Sequence, residues 1–331
     1  MQGLTRRQLL KASTAMLIMP LLGGRVSAQS GLEAIAAKAE RLDQLRSLVV
    51  QQVGQRLFAE AFRGPALDRP ANIKSVSKTL VALLTGIAID RGLLDGPDQR
   101  VLPLLDREPF GDARDSLTIG HLLSMQAGLA STSGEHYGEW VTSSDWVDYA
   151  LTRPLEGRPG GRFIYSTGGW HILGAALSRA SGHSLLRLAR EWLGNPLDIA
   201  IPPWVTDPQG RYLGGNEMAI SPLGLARLGE LIVNGGQIDG RRVISEGWIQ
   251  TSWQPRGRSP FSGDQYGYGW FLTRYAGQQA AYARGYGGQM LVVVPDRHLS
   301  IAITSDPHRP ARSDGHFGDL QALVERIVEA V

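Results

Sequence analysis

Asn72-Ile73-Lys74-Ser75-Val76-Ser77-Lys78-Thr79 runs directly into the apolar stretch Leu80-Val81-Ala82-Leu83-Leu84. Ser75 and Lys78 form the sole Ser-x-x-Lys of the chain. Residues three apart share a helix face and lie within side-chain reach. A serine hydroxyl is a weak nucleophile until a base removes its proton. Arginine cannot serve as that base, because its guanidinium stays protonated, whereas a desolvated lysine can lose its proton. The chain has thirty arginines and four lysines, Lys11, Lys38, Lys74 and Lys78. At position 78 it therefore keeps a cation that can become a neutral amine. The spacing predicts a helix over 75–91 that opens with a nucleophile and its activator and ends at Gly92.

Around this stretch the chain has the length and composition of a globular enzyme. Its 331 residues suffice for one large or two modest domains. Apolar residues make up 43% and charged residues 20%, which excludes a disordered chain. The formal charge of +3 comes from the first 28 residues, which hold Arg6, Arg7, Lys11 and Arg25 and no acid. Beyond them 30 basic side chains face 31 acidic ones, with no basic run, so no nucleic-acid footprint is expected. The absence of cysteine rules out disulfides, a thiolate nucleophile and thiolate metal ligands.

Thr5-Arg6-Arg7-Gln8-Leu9-Leu10-Lys11 is a twin-arginine pattern. A short apolar segment from Ala15 to Leu22 follows, then the small-residue site Val26-Ser27-Ala28. Residues 1–28 thus read as an export signal, and the expected destination is the periplasm or the exterior. The apolar segment is too short to span a bilayer stably, so membrane contact is expected only during export.

Periodicity organises the remainder, residues 29–331. Gly31 to Arg46 carries an amphipathic stripe of Leu32, Ile35, Ala36, Ala39, Leu42 and Leu45. Strands are expected over 48–56 and 57–62, then a mostly helical insertion over about 95–240. Within the insertion, Thr118 caps a short helix to Leu123, and helices are expected over 170–181, 184–192 and 223–234. The Gly- and Pro-rich stretch from 196 to 222 reads as loop. Strands over 266–275, 281–294 and 299–305 follow, the last two joined at Pro295-Asp296-Arg297, with a final helix over 319–331. Strands at both ends around a helical middle predict an α/β (α+β) fold, with one antiparallel sheet assembled from N- and C-terminal segments. A ligand cleft is expected between sheet and helices.

Three ordered motifs resemble the serine beta-lactamase and penicillin-binding superfamily over most of 45–331. The first is Ser75-Val76-Ser77-Lys78-Thr79 with Gly92-Leu93-Leu94-Asp95. Another is Thr118-Ile119-Gly120-His121-Leu122-Leu123-Ser124-Met125-Gln126-Ala127-Gly128-Leu129, and the third is Pro159-Gly160-Gly161-Arg162-Phe163-Ile164-Tyr165-Ser166-Thr167-Gly168-Gly169. The similarity is greatest to the class C, D-peptidase and esterase branch. Gly214-Gly215-Asn216-Glu217-Met218 and Gly285-Tyr286-Gly287-Gly288-Gln289 look like relatives of 6-aminohexanoate-dimer hydrolase. The resemblance implies a beta-lactamase/transpeptidase-like fold and an acyl-enzyme on Ser75, with Lys78 and Tyr165 moving protons. A phenol loses its proton near pH 10, so an adjacent Lys78 ammonium is expected to ease its ionisation. The oxyanion is expected on the backbone N–H groups of Ser75 and Tyr286, at a helix N-terminus and an edge strand. Thr167, Gly285 and Gly287 are expected to bind substrate.

Two departures bear on substrate. The Tyr-x-Asn of the superfamily is Tyr165-Ser166-Thr167 here, and its Lys-Thr-Gly or His-x-Gly motif is replaced by Ala283-Arg284-Gly285 or Gly285-Tyr286-Gly287. The missing cation predicts a small-molecule ester or amide substrate in preference to a beta-lactam. A beta-lactamase remains an alternative, as does a weakened module that binds cell-wall peptide or a partner. Acyl transfer by these groups calls for no cofactor or metal. The sequence contains no Gly-x-Ser-x-Gly elbow and no His-Glu-x-x-His. His121, His171, Tyr137, Trp140 and Trp146 read as packing residues of the helical layer.

Overall fold

The computed structural model describes residue 31 and residues 34–331. The export signal over 1–28 and Leu32 of the amphipathic stripe lie outside the described residues. Residues 34–40 are helical. The predicted N-terminal helix stops short of Arg46 because the chain from Leu45 is drawn into the sheet.

That sheet has eight strands. Two come from the N-terminal side, β1 (Leu45–Gln52) and β2 (Gln55–Ala61). Six come from the C-terminal side: β3 (Gly257–Arg258), β4 (Gln265–Tyr266), β5 (Phe271–Tyr275), β6 (Gln278–Gly285), β7 (Gln289–Val294) and β8 (Leu299–Ser305). Their order is β2-β1-β8-β7-β6-β5-β4-β3, antiparallel throughout. Val49 faces Ala302 across the β1–β8 pair, so the N-terminal hairpin is stitched onto the last strand. The α/β architecture read from the sequence is the one found.

Four helices of 12–15 residues build the other layers: α1 (Ser77–Asp90), α2 (Thr167–Ser181), α3 (Pro222–Val233) and α4 (His316–Ala330). Side chains alternate between the two faces of a strand. Leu291 and Ser300 approach Gly229 of α3, whereas Tyr282, opposite Val292, stacks towards Phe317 of α4. Helices α3 and α4 therefore cover opposite faces. β7 and β8 between them are buried along their whole length.

Two strand expectations are corrected. The run from Ala281 to Val294 is a hairpin and not one strand. Tyr286-Gly287-Gly288 turns it, with φ of 82° at Gly287 and 97° at Gly288, backbone that glycine adopts without strain. The run from Tyr266 to Tyr275 is broken between β4 and β5. Gly269 there adopts φ 78°, and a Cβ on it would lie 2.7 Å from the Ala82 methyl of α1. The carbonyl of Gly269 accepts a hydrogen bond from Thr79 Oγ1 at 2.6 Å, so the break fastens the sheet to α1. The helix expected over 184–192 is also reshaped, as a short α-helix Leu185–Leu188 entering a π-helical stretch Ala189–Gly194.

Candidate active site

Ser75 lies in a 3-10 turn, Lys74–Val76, that feeds directly into α1. The predicted helix thus begins two residues late, and Ser75 occupies its N-terminal approach. The turn is set by its neighbours. Lys74 is in the left-handed region at φ 49°, a conformation costing a non-glycine residue on the order of 1 kcal/mol. Asn72 Oδ1 accepts from the Lys74 N–H at 2.8 Å, and Glu217 takes the Lys74 ammonium at 2.8 Å and Asn72 Nδ2 at 2.6 Å. A two-residue antiparallel bridge, Ala71–Asn72 with Ala219–Ile220, carries Glu217 to this corner. The Ile73 N–H donates to the Met218 carbonyl, and the Met218 N–H to Ser77 Oγ.

Lys78, the second residue of α1, is 2% exposed. Its Nζ lies 2.9 Å from Ser75 Oγ, 2.7 Å from the Gly215 carbonyl and 3.3 Å from Thr167 Oγ1. Burial without a carboxylate partner disfavours the ammonium and lowers its pKa from 10.5 to about 7. Lys78 is thus poised as a base near neutral pH. The neighbouring Lys74, by contrast, is paired with Glu217.

Tyr165 adjoins this pair. Lys78 Nζ sits over its ring, 5.0 Å from the centroid. The expected easing of phenol ionisation is corrected. Burial raises the Tyr165 pKa, with the Ser75 hydroxyl and the Arg284 charge opposing it only in part. Lys78 meets the ring face and is itself poised to be neutral, so it supplies no full charge at the hydroxyl.

Thr167 opens α2 and is 3% exposed. Its hydroxyl bonds Ser133 Oγ at 3.0 Å as well as Lys78, so it faces inward to the lysine. Gly285, at the end of β6, packs on the nucleophile turn: a Cβ there would lie 2.4 Å from the Ile73 carbonyl and 3.0 Å from Lys74 Cβ. Tyr286, the next residue, has an exposed side chain, and its N–H donates no hydrogen bond within the backbone network. Gly287 turns away. A Cβ on it would strike the Asp306 carbonyl at 2.1 Å, beyond the end of β8. Ser75, Lys78, Tyr165, Thr167 and Gly285 are therefore brought together, and Gly287 is not.

Sequence reasoning missed Ser133 and Gly215 as partners of this cluster. Their signals were the polar run Ser131-Thr132-Ser133 and the glycine pair Gly214-Gly215. His121 caps its own short helix: its Nδ1 accepts from the Thr118 N–H, and Thr118 Oγ1 from the His121 N–H. Trp140, Trp146 and Leu213 form a separate buried cluster, with Tyr137 against it.

β6 lies between β7 and β5, so the strand beside the nucleophile is an interior one and not the expected edge. A nucleophile turn at the end of that strand, with a buried lysine behind it and a tyrosine beside it, is a beta-lactamase-like arrangement. The sequence profile of the beta-lactamase family matches residues 46–324, and the chain belongs to that family. It is 28% identical over 215 residues to the 6-aminohexanoate-dimer hydrolase of Paenarthrobacter ureafaciens, covering 60% of this chain and 54% of that one. The chain thus spans about half the length of this curated relative. Among solved structures it superposes on a penicillin-binding protein homologue from Caulobacter crescentus with TM-score 0.74 and 19% identity, covering 93% and 98% of the two chains. A family VIII carboxylesterase gives TM-score 0.72 at 19% identity, covering 92% and 98%.

Proposed function

We propose that this chain is a serine hydrolase that cleaves an ester or amide of a small molecule through an acyl-enzyme on Ser75. The observation that carries the reading is the 2.9 Å contact between Ser75 Oγ and a buried Lys78 whose pKa falls to about 7. In its neutral form Lys78 accepts the Ser75 proton as Oγ attacks the carbonyl carbon. The developing oxyanion is held by the N–H groups of Ser75 and Tyr286, the first reinforced by the positive end of α1. Tyr165, protonated at neutral pH, gives its proton to the leaving group and recovers one from Lys78. Water then attacks the acyl carbon by the reverse relay, releasing the acid and restoring Ser75.

The Ala283-Arg284-Gly285 segment supports an ester preference. Arg284 is the cation there, but its guanidinium stacks over Phe317 at 3.5 Å and donates to the Ala311 carbonyl at 3.2 Å. It is held on α4 and not offered to a substrate carboxylate. Residues 1–28 add a further proposal, export by the twin-arginine route to the periplasm or the exterior. The test of substrate class is kcat/KM for short-chain p-nitrophenyl esters, nitrocefin and penicillin under one condition, with Ser75→Ala as control. Faster ester turnover that vanishes in Ser75→Ala supports the proposal. A penicillin value well above the ester value makes the protein a beta-lactamase. Absence of both activities, with Thr167→Asn switching them on, makes it a binding module.

A further inference from the structure

His171 is a fully buried polar side chain that this reaction leaves unused. It lies in the second turn of α2, and its side chain and that of Asp207 are both 0% exposed. His171 Nε2 lies 3.1 Å from Asp207 Oδ2. Asp207 also accepts from Arg211 Nε at 2.7 Å and from the N–H groups of Gln209 and Arg211 at 3.0 and 2.8 Å. An ionised carboxylate only accepts, so the ring hydrogen must sit on Nε2 and leave Nδ1 a bare acceptor. The Gly214 N–H points at that atom from 3.3 Å. Burial lowers the His171 pKa against the opposing pull of Asp207 and Asp145, which keeps the ring neutral. Arg211, bonded to both carboxylates, and the rings of Trp140 and Trp146 complete its surroundings.

Gly214 leads to Gly215, whose carbonyl holds Lys78 Nζ. No slack exists at either residue. A Cβ on Gly214 would lie 2.3 Å from the Trp170 carbonyl, and one on Gly215 2.9 Å from Lys78 Cγ. The turn is pressed between α2 and the lysine, and the His171 ring fixes its N–H side.

We propose that His171 is a positioning residue: oriented by Asp207, it fastens the Gly214–Gly215 turn so that the Gly215 carbonyl holds Lys78 on Ser75. This rests on the reading of Ser75 and Lys78 as the reacting pair. An inert packing residue would not need both ring nitrogens bonded, and the two bonds can be separated by substitution. Asparagine places Oδ1 where Nδ1 stands and keeps the acceptor for Gly214. Glutamine places Nε2 where the ring Nε2 stands and keeps only the donor to Asp207.

The test compares kcat, KM and the pH profile of kcat/KM on p-nitrophenyl butyrate for wild type, His171→Asn and His171→Gln, with fluorophosphonate labelling of Ser75 in each. His171→Asn is expected to keep the acidic limb of the wild type. His171→Gln is expected to displace it and to lower kcat about tenfold, the scale of one lost hydrogen bond, with KM little changed. Equal behaviour of the two variants overturns the proposal, whether both are impaired or both are normal. Side-chain 1H–15N correlation on the wild type decides independently of variant folding: the Nε2–H tautomer with bare Nδ1 is required, and the Nδ1–H tautomer overturns it. Wild type that is active yet unlabelled at Ser75 refutes Ser75 as the nucleophile, and with it the Ser75–Lys78 pair on which this inference rests. A labelled wild type with an unaffected His171→Gln refutes only the role of His171.

Discussion

At Lys78 the physics of burial bears directly on the proposed chemistry. The side chain is desolvated and bonded only by neutral groups, so it titrates at about 7 where an exposed lysine titrates at 10.5. If the neutral amine is the base, kcat/KM rises with pH through about 7. Lys78→Arg keeps the charge but cannot offer a neutral amine, and should lose roughly 10²–10⁴-fold in kcat/KM, the scale of a removed general base. Near-normal turnover in that variant would mean that only the charge matters. The same shift has a consequence for stability. Between about 7 and 10.5 the unfolded chain binds a proton at Lys78 that the folded chain does not, so stability rises with pH across that window. Urea denaturation of wild type and the apolar Lys78→Met should therefore show the wild type gaining on the variant from pH 7 to pH 9. A difference that is flat with pH would mean that the folded lysine titrates normally. The neighbouring Lys74 pairs with Glu217 at 2.8 Å, and its side chain anchors the turn.

Helix α1 carries both Ser75-side chemistry and the central packing, so its contacts set the geometry of the site. Gly86 shows how tightly it is seated. A Cβ there would lie 2.2 Å from the Trp248 ring, whose Nε1–H donates to the Ala82 carbonyl of the same helix at 3.1 Å. Alanine at 86 should normally favour a helix through propensity. Here overpacking against a buried indole should win, for a net loss of about 1–3 kcal/mol in urea-denaturation stability. A neutral or stabilised Gly86→Ala would show that α1 can shift on its bed, and would weaken the case for a rigidly held nucleophile. What the sequence revealed of the elements follows the same logic. The i, i+3 pair of Ser75 and Lys78 was legible because it is local. Helices α1 and α2 were legible as long apolar runs, buried all round over 77–88 and 167–177, and α3 through its one buried face. The hairpin at Tyr286-Gly287-Gly288 was merged into one strand because apolar runs lie on both sides of it. The break before Phe271 was likewise hidden, since its cause is the distant Ala82 and Thr79 of α1.

Across the whole molecule, the site exists because the sheet joins the two ends of the chain around the helical middle. β6 delivers Gly285 to the nucleophile turn, and α2 delivers Thr167 to Lys78. The bridge at Ala219 delivers Glu217 to Lys74. The three motifs could be read in order, but two contributors left almost no mark in the sequence. The Gly215 ligand to Lys78 is a backbone carbonyl, which any residue possesses. His171 acts through the Gly214 N–H, 43 residues away. The inward turn of Thr167 was equally hidden, because only the fold sets Ser133 against it. These groups hold the nucleophile turn and Lys78, which in turn meets the Ser75 hydroxyl. The most direct test is to treat the wild-type protein with a fluorophosphonate probe and map the adduct by peptide mass spectrometry, with Lys78→Arg alongside. The account predicts a single adduct on Ser75, formed quickly in the wild type and slowly in Lys78→Arg. A modified serine elsewhere, or no adduct on protein that is hydrolysing substrate, would contradict it.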